Sequence, residues 1–221
     1  MWKQIIQAFR SAFGSKEVQG KITGLLATLV ILYLLLVITN GVNSQNERKF
    51  RENNSNSGEL VFRDGDIIFK QTPGKLSEHI SRITGSPVTH CGIIYVEEGD
   101  IFVIEAGDPV SMTDLKEFVS SGVEKKFALK RYENLSREQQ NIVVNEAKKY
   151  LNLPYDYNYK LDDEHLYCSE LVFKAYIRGI DIRPGNLVYL KDLNYKGSED
   201  FIKDLTGELP LERQIITPVE I

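Results

Sequence analysis

The sequence predicts an α+β fold, in which a small antiparallel sheet packs on helices and a single transmembrane helix precedes the folded domain. Three patterns in the 221-residue chain lead to this prediction. Two apolar segments joined by a short turn indicate a β-hairpin. Apolar residues at three- and four-residue spacing on both sides of that hairpin indicate amphipathic helices. A long uncharged apolar segment near the amino terminus indicates a membrane span.

The predicted membrane span lies in a stretch without charged residues between Lys21 and Glu47. Its apolar core, extended over residues 22–42, reaches the ~20 residues that a helix rising ~1.5 Å per residue needs to cross the hydrocarbon. A cleaved signal peptide is the alternative interpretation. However, a 21-residue leader precedes the apolar run and no clear Ala-x-Ala site follows it. We therefore expect an uncleaved, single-pass anchor.

Charge indicates the orientation of this anchor and excludes one class of partner. Residues 1–21, the amino-terminal tail, carry a net charge of +3. Because the whole chain carries −4, the other 200 residues together carry −7. The positive-inside rule therefore favours a cytoplasmic tail and a body on the outer side of the cytoplasmic membrane. A polar linker, residues 43–58, would connect the anchor to a folded domain at residues 59–221. So acidic a body argues against nucleic-acid binding, which requires a basic surface.

The elements of the folded domain follow from its periodicity and its turn residues. Four strands are predicted, at residues 67–69, 88–96, 101–105 and 125–132. Three helices are predicted, at about residues 76–83, 136–151 and 167–177. Gly85 ends the first of these helices, Ser136 and Gln139 form a capping box for the second, and Gly179 lies just past the end of the third. The rest of the chain, to residue 221, is expected to be loop and short helix without a motif.

Cys168 is the candidate nucleophile, because it falls in the first turn of the last of these predicted helices. Exposed backbone N–H groups and the positive end of the helix dipole favour a thiolate there, and the thiolate is the reactive form of cysteine. A small buried apolar cysteine is the alternative. Cys91 is the second of the two cysteines in the chain. Since side chains alternate along a strand, it is expected to face away from His90 and to lie in the core.

His90 and Glu105 lie on the two strands of the predicted hairpin, on either side of its turn. Antiparallel pairing of those strands brings the two side chains close together. A carboxylate at the end of an apolar strand is costly unless it is paired. A nucleophile, a base and an orienting group are the parts that an activated thiol requires, although a histidine considered alone is more often structural.

Four sequence blocks also resemble a known family, the YiiX-like permuted papain-fold cysteine hydrolases of the NlpC-type superfamily. The blocks lie in the same order as in that family, at residues 65–68, 84–94, 105–106 and 161–172. The resemblance extends over about residues 60–180. It implies a circularly permuted papain-like fold, with Cys168 as nucleophile, His90 as base and Glu105 as the third polar residue. The family more often has an apolar residue after the motif histidine, and Cys91 departs from that pattern.

Together these features predict an enzyme, a cysteine hydrolase that cleaves an amide of peptide or cell-wall type through a thiol acyl-enzyme. One alternative is a lipid acyl hydrolase or acyltransferase that uses the same cysteine and histidine. The other is a catalytically silent binding module that keeps the fold. Tyr155 is a candidate oxyanion-hole or substrate contact, with the backbone N–H of Cys168 as the second donor. A tyrosine packed at a helix end is its alternative interpretation.

No metal ion or organic cofactor is implied by these residues. The partners expected are a small-molecule, peptide or lipid acyl substrate, and the membrane through residues 22–42. The sequence does not distinguish an amide from an ester substrate, or a peptide from a lipid.

Overall fold

A five-stranded antiparallel sheet organises the chain in the computed structural model, which describes residues 60–221. Its strands are β1 (Ile67–Lys70), β2 (His90–Glu97), β3 (Asp100–Ala106), β4 (Val110–Asp114) and β5 (Phe127–Lys130). They lie in the order β4-β3-β2-β1-β5, and every neighbouring pair is antiparallel. The predicted antiparallel sheet is confirmed.

Five α-helices accompany the sheet in this part of the chain. They are α1 (Lys75–Thr84), α2 (Leu115–Ser120), α3 (Arg137–Lys148), α4 (Cys168–Ile180) and α5 (Glu199–Thr206). Near the carboxyl terminus, β6 (Val188–Tyr189) and β7 (Gln214–Ile215) form a separate two-stranded sheet. The predicted tail, anchor and linker, residues 1–58, lie outside the described residues and stay predictions. Within residues 60–221, no helix is both long and apolar enough to cross a membrane.

The two faces of the sheet are covered differently, because side chains alternate along each strand. One face packs on α3 and α4. Its cluster contains Ile67, Cys91, Ile93 and Ile104 from the strands, and Val143, Val144, Leu171 and Val172 from the helices. The other face carries Ile68, Ile94 and Val103, which pack on Phe118 of α2. Cys91 and Phe118 therefore lie on opposite faces of the sheet.

Local signals account for several element boundaries. The β2–β3 hairpin turns at Glu98 and Gly99, which both have positive φ, as a two-residue turn of this kind requires. The predicted capping box of α3 is present: Ser136 Oγ accepts from the Gln139 N–H, and Gln139 Oε1 accepts from the Ser136 N–H. Gly85 ends α1 in the left-handed conformation, as predicted.

The predicted end of α4 is wrong. The helix continues through Gly179 to Ile180, and Asp181 takes the left-handed position beyond it. A Cβ on Gly179 would lie 3.3 Å from Ile142 Cγ2 and 3.6 Å from Glu146 Cβ, both on α3. The glycine therefore allows α3 and α4 to approach closely, and it does not stop the helix.

The predictions between residues 107 and 132 are also incomplete. Strand β4 and helix α2 had no predicted counterpart, and the strand predicted at residues 125–132 is shorter, at Phe127–Lys130. The β4 sequence is largely polar because it is the edge strand of the sheet. Helix α2 has only six residues, which is too short for a helical period to be recognised.

Candidate active site

The β2–β3 register brings His90 and Glu105 together. Gly92 pairs with Glu105 across the two strands, and His90 lies two residues before Gly92 on β2, on the same face of the sheet. His90 Nε2 is 2.5 Å from Glu105 Oε2, and each side chain is 12% exposed. The His90 ring also packs on Phe118, with 5.8 Å between the ring centroids. The pair predicted from the hairpin is therefore formed, in a largely buried position.

Gly92 allows β2 and β3 to approach closely beside this pair. A Cβ at this position would lie 2.5 Å from Val103 Cγ1, 2.9 Å from the Ile104 carbonyl oxygen and 3.3 Å from Glu105 Cβ. Two of these contacts are shorter than real Cβ atoms make, so β2 and β3 can lie at this distance only with glycine here.

Gly92→Ala should lower the free energy of unfolding by about 1–3 kcal/mol, as inserting a methyl into a packed site does. It should also reduce turnover, because the methyl group pushes against Glu105. Gly107→Ala is the matched control, since its Cβ would meet nothing closer than 3.4 Å. Denaturant unfolding and turnover measure the two effects. Equal unfolding free energies for the two variants would contradict this account of Gly92.

Cys168 is the first residue of α4 and is 3% exposed. It hydrogen-bonds the His90 side chain and both the side chain and the backbone of Cys91. Because Nε2 of His90 bonds Glu105, Nδ1 is the ring nitrogen left for Cys168. The structure thus brings Cys168, His90 and Glu105 together in one hydrogen-bonded series.

The electrostatics of this series favour a thiolate and an imidazolium. The hydrogen bond from Cys91 lowers the pKa of Cys168 well below its usual range; burial opposes this effect, and the charge of His90 adds to it. Burial also lowers the pKa of His90. The thiolate charge and the hydrogen bonds to Cys168 and Glu105 outweigh that effect and raise the pKa to about 9. At a pH between the pKa of Cys168 and the pKa of His90, Cys168 is a thiolate and His90 is an imidazolium.

Glu105 is held as a carboxylate by groups on three sides. Burial raises its pKa, but hydrogen bonds from His90 and Thr113 and the charge of Lys70 lower it below its usual value. Lys70 Nζ lies 3.9 Å from Glu105 Oε2 and 3.6 Å from the Phe118 ring centroid. It also donates to the Phe118 carbonyl oxygen and to Ser121 Oγ.

Lys70 and Thr113 were not predicted from the sequence. Lys70 is the last residue of the otherwise apolar strand β1. A buried lysine needs a partner, so its place in this strand was the one signal in the sequence that Lys70 belongs to a site. The β1–β2 register places Lys70 opposite His90 and so brings it near Glu105, which His90 bonds. Without this register, the sequence does not identify Glu105 as the partner of Lys70. Thr113 lies on β4, the strand that had no predicted counterpart.

Cys91 is fully buried on the sheet face opposite Phe118, as its place in the strand predicted. Its contact with Cys168 was not predicted, because the sequence does not show that α4 packs on this face. Burial raises the pKa of Cys91 well above its usual range. Cys91 therefore stays a thiol and can donate its S–H to the Cys168 thiolate.

Cys91→Ala should raise the midpoint of the alkylation–pH profile of Cys168 by about one pH unit, roughly the effect of losing one hydrogen bond to a charged group. Cys91→Ser should restore most of the shift, because a hydroxyl can donate in place of the S–H. Iodoacetamide labelling followed by mass spectrometry gives both profiles. A Cys91→Ala profile identical to that of the unchanged protein would show that Cys91 only fills space.

Tyr155 lies in the segment before α4, where it forms an isolated parallel β-bridge with Leu166. Its hydroxyl is 3.4 Å from that of Tyr159. Burial raises the pKa of Tyr155 well above its usual range, and the charges of Tyr159 and Cys168 act in the same direction. The phenol is therefore protonated at neutral pH, and its oxygen lies near enough to sense the Cys168 charge. The structure thus brings the fourth predicted residue near Cys168.

An apolar cavity opens beside Cys168. It encloses about 760 Å³ of empty space, including the part open to solvent. Cys168 and Tyr155 form part of its wall. The rest comes mainly from α1, α5 and the carboxyl-terminal segment, including Leu76, Ile80, Ile83, Phe201, Leu205 and Ile216. The sequence predicted helix α1 but gave no sign that residues 190–218 would close a cavity over Cys168.

Comparison with known proteins identifies close relatives of this chain. The model of the YaeF/YiiX family of permuted papain-like amidase enzymes matches residues 61–218. The uncharacterized protein YiiX of Escherichia coli K12 is 34% identical over 158 residues, which are 70% of this chain and 78% of that protein. A crystal structure of YiiX from Escherichia coli O157:H7 aligns with a TM-score of 0.69 and 32% identity, covering 72% of this chain and 90% of that one. The resemblance noted from the sequence blocks is confirmed.

The YiiX of that crystal structure is described as a metalloprotein. In this chain, no group of three or more His, Cys, Asp or Glu side chains among residues 60–221 is arranged to hold a metal ion. Moreover, His90 already bonds both Glu105 and Cys168. These side chains do not fit a metal centre.

Proposed function

Because the chain belongs to the YaeF/YiiX family of permuted papain-like amidases, we propose that it is a cysteine hydrolase that cleaves an amide bond at Cys168. The observation that carries this proposal is the buried hydrogen-bonded series Cys168–His90–Glu105. It supplies a thiolate, a proton donor and a carboxylate that holds the imidazole in place. These are the parts required for nucleophilic catalysis by a thiol.

The proposed reaction has two halves. In the first half, the Cys168 thiolate attacks the carbonyl carbon, and the carbonyl electrons move onto oxygen. The His90 imidazolium then gives its Nδ1 proton to the amine nitrogen as the carbon–nitrogen bond breaks, which leaves a thioester. In the second half, His90 accepts a proton from water, hydroxide adds to the thioester, and the carboxylic acid departs as the thiolate returns.

Two donors are available for the oxyanion that forms between these steps. The backbone N–H of Cys168 lies at the start of α4 and has no acceptor within the helix. The Tyr155 hydroxyl is protonated and lies beside Cys168. We propose this pair as the oxyanion hole, because donors arranged before the reaction stabilise the developing charge most effectively.

The test is to trap the thioester on the full-length protein. A panel of amide and ester substrates is offered, and intact-mass spectrometry follows the protein during turnover. We expect a mass increase equal to the acyl group, located on Cys168 and removed by hydroxylamine. If no substrate is turned over and no adduct forms on Cys168, the chain is instead a silent binding module that keeps the fold.

A further inference from the structure

We propose that Lys70 is a positioning residue of the active site: its buried positive charge balances the Glu105 carboxylate, which the ion pair of Cys168 and His90 leaves uncompensated. This inference rests on the proposed cysteine hydrolase function, to which it adds a fourth side chain beside the series Cys168–His90–Glu105. Its basis is the burial of the Lys70 ammonium, its distance from Glu105 and the charges around both groups.

The Lys70 ammonium lies inside the fold, near Glu105. The side chain is 3% exposed, and its Nζ is 3.9 Å from Glu105 Oε2. That distance is too long for a hydrogen bond, so Lys70 acts on Glu105 through its charge. Two of its N–H groups donate to the Phe118 carbonyl oxygen, at 2.9 Å, and to Ser121 Oγ, at 2.8 Å. These two bonds hold the ammonium in one position beside the carboxylate.

The neighbours of Lys70 do not need it for their own hydrogen bonds. The Phe118 carbonyl oxygen also accepts from Ser121 Oγ, at 2.9 Å. Glu105 is already bonded by His90. A buried ammonium costs free energy, and hydrogen bonds that its neighbours can make without it do not offset that cost. What Lys70 adds to these side chains is therefore a positive charge.

The sum of the charges shows why a cation stabilises this site. The Cys168 thiolate and the His90 imidazolium cancel, which leaves the Glu105 carboxylate as a buried negative charge. Lys70 brings the sum for the four side chains to zero. The sum stays at zero after His90 has protonated the leaving amine, because the thiolate and imidazolium charges disappear together. Lys70 is then the cation that remains beside Glu105.

Lys70 and His90 are two cations that face each other across paired strands, and Phe118 contacts both. The β1–β2 register places Lys70 opposite His90. Lys70 Nζ lies 3.6 Å from the centroid of the Phe118 ring, and the His90 ring stacks on the same ring with 5.8 Å between centroids. The face of an aromatic ring attracts a cation, so Phe118 lowers the cost of placing Lys70 this close to His90.

The charges that face Lys70 belong to three other elements and to His90 on β2. Burial lowers the pKa of Lys70, and the charges of Glu105 on β3, Cys168 on α4 and Glu117 on α2 oppose that effect. Glu117 is exposed, so water screens its charge. Because the interaction of two charges is mutual, the Lys70 charge stabilises the Cys168 thiolate and disfavours the His90 imidazolium. Its removal should therefore raise the pKa of both groups.

The test compares Lys70→Met with the unchanged full-length protein. Methionine has a similar length but carries no charge. We expect the midpoint of the alkylation–pH profile of Cys168 to rise by about one pH unit, and the NMR titration of the His90 imidazole to move to higher pH as well. Lys70→Arg keeps the charge, so both of its midpoints should stay close to those of the unchanged protein.

A purely structural role for Lys70 would give a different pattern. A loosened site admits water, which moves both titrations toward ordinary values, upward for Cys168 and downward for His90. The matched control is Lys126→Met, which removes the same charge from an exposed ion pair with Glu124 and should move neither midpoint. Opposite movements of the two midpoints in Lys70→Met, or no movement of either, would overturn the proposal.

A double variant covers the case in which Lys70→Met does not fold. Lys70→Met combined with Glu105→Gln removes the carboxylate together with the cation that balances it, so this protein should fold. If it also fails to fold, Lys70 serves the packing and the proposal is wrong. Neither titration requires turnover. A chain that hydrolyses no amide would therefore overturn the proposed function, while the two titrations still decide the role of Lys70.

Discussion

Replacing Cys168 by serine is expected to reduce hydrolysis by about 10⁴-fold or more, because the loss of a nucleophile removes the covalent path. A serine hydroxyl has a far higher pKa than a thiol, so the neighbouring imidazolium cannot hold it ionised. The fold should survive, since a hydroxyl can occupy the same buried position and bond the same neighbours. Turnover and the denaturant midpoint of unfolding measure the two properties.

The matched control for this substitution is Cys91→Ser, which changes the other buried thiol in the same way. It should keep most of the turnover, because its hydroxyl can still donate to the Cys168 thiolate. If Cys168→Ser kept more than a small fraction of turnover, the acyl-enzyme route would be wrong. If Cys91→Ser were the inactive variant, the two thiols would have been assigned the wrong way round.

Glu105→Gln is expected to lower turnover by about 10²- to 10⁴-fold, the range seen when the carboxylate that orients a catalytic histidine is neutralised. The amide keeps the shape of the side chain but removes its charge. The pKa of His90, about 9 in the unchanged protein, should therefore fall. NMR titration of the His90 imidazole measures this shift.

Glu133→Gln is the control for Glu105→Gln. Glu133 lies at the surface in an exposed ion pair with Arg63, so its loss should change neither turnover nor the His90 titration. An unchanged His90 titration together with unchanged turnover in Glu105→Gln would show that another group holds the imidazole. A lowered turnover alone, with the titration unchanged, would point to a structural effect.

The parts of the fold that could be predicted are those whose signals are local. The β2–β3 hairpin follows from two apolar segments around a Glu-Gly turn, and the start of α3 follows from Ser136 and Gln139. The pairing of His90 with Glu105 then follows from the hairpin register alone. The identity of Cys168 as the partner of His90 required the family resemblance, because these residues are far apart in the chain.

The features that could not be predicted depend on packing between distant segments. Gly179 has the signature of a helix stop, but its contact with Ile142 of α3 decides its role. Cys91 was correctly placed in the core, yet its hydrogen bond to Cys168 depends on which helix covers that face. The apolar cavity is formed by α1 and by residues 190–218, which are more than a hundred positions apart in sequence.

The pH dependence of Cys168 alkylation tests the central claim, a Cys168 thiolate stabilised by the His90 imidazolium, most directly. Brief treatment with iodoacetamide at about pH 6 should label Cys168, although a free thiol with a pKa of ~8.5 would be almost unreactive there. Cys91 should stay unlabelled, since burial keeps it a thiol. Labelling of Cys168 only as the pH approaches that of a free thiol, or labelling of Cys91 first, would contradict the assignment of Cys168 as the activated nucleophile.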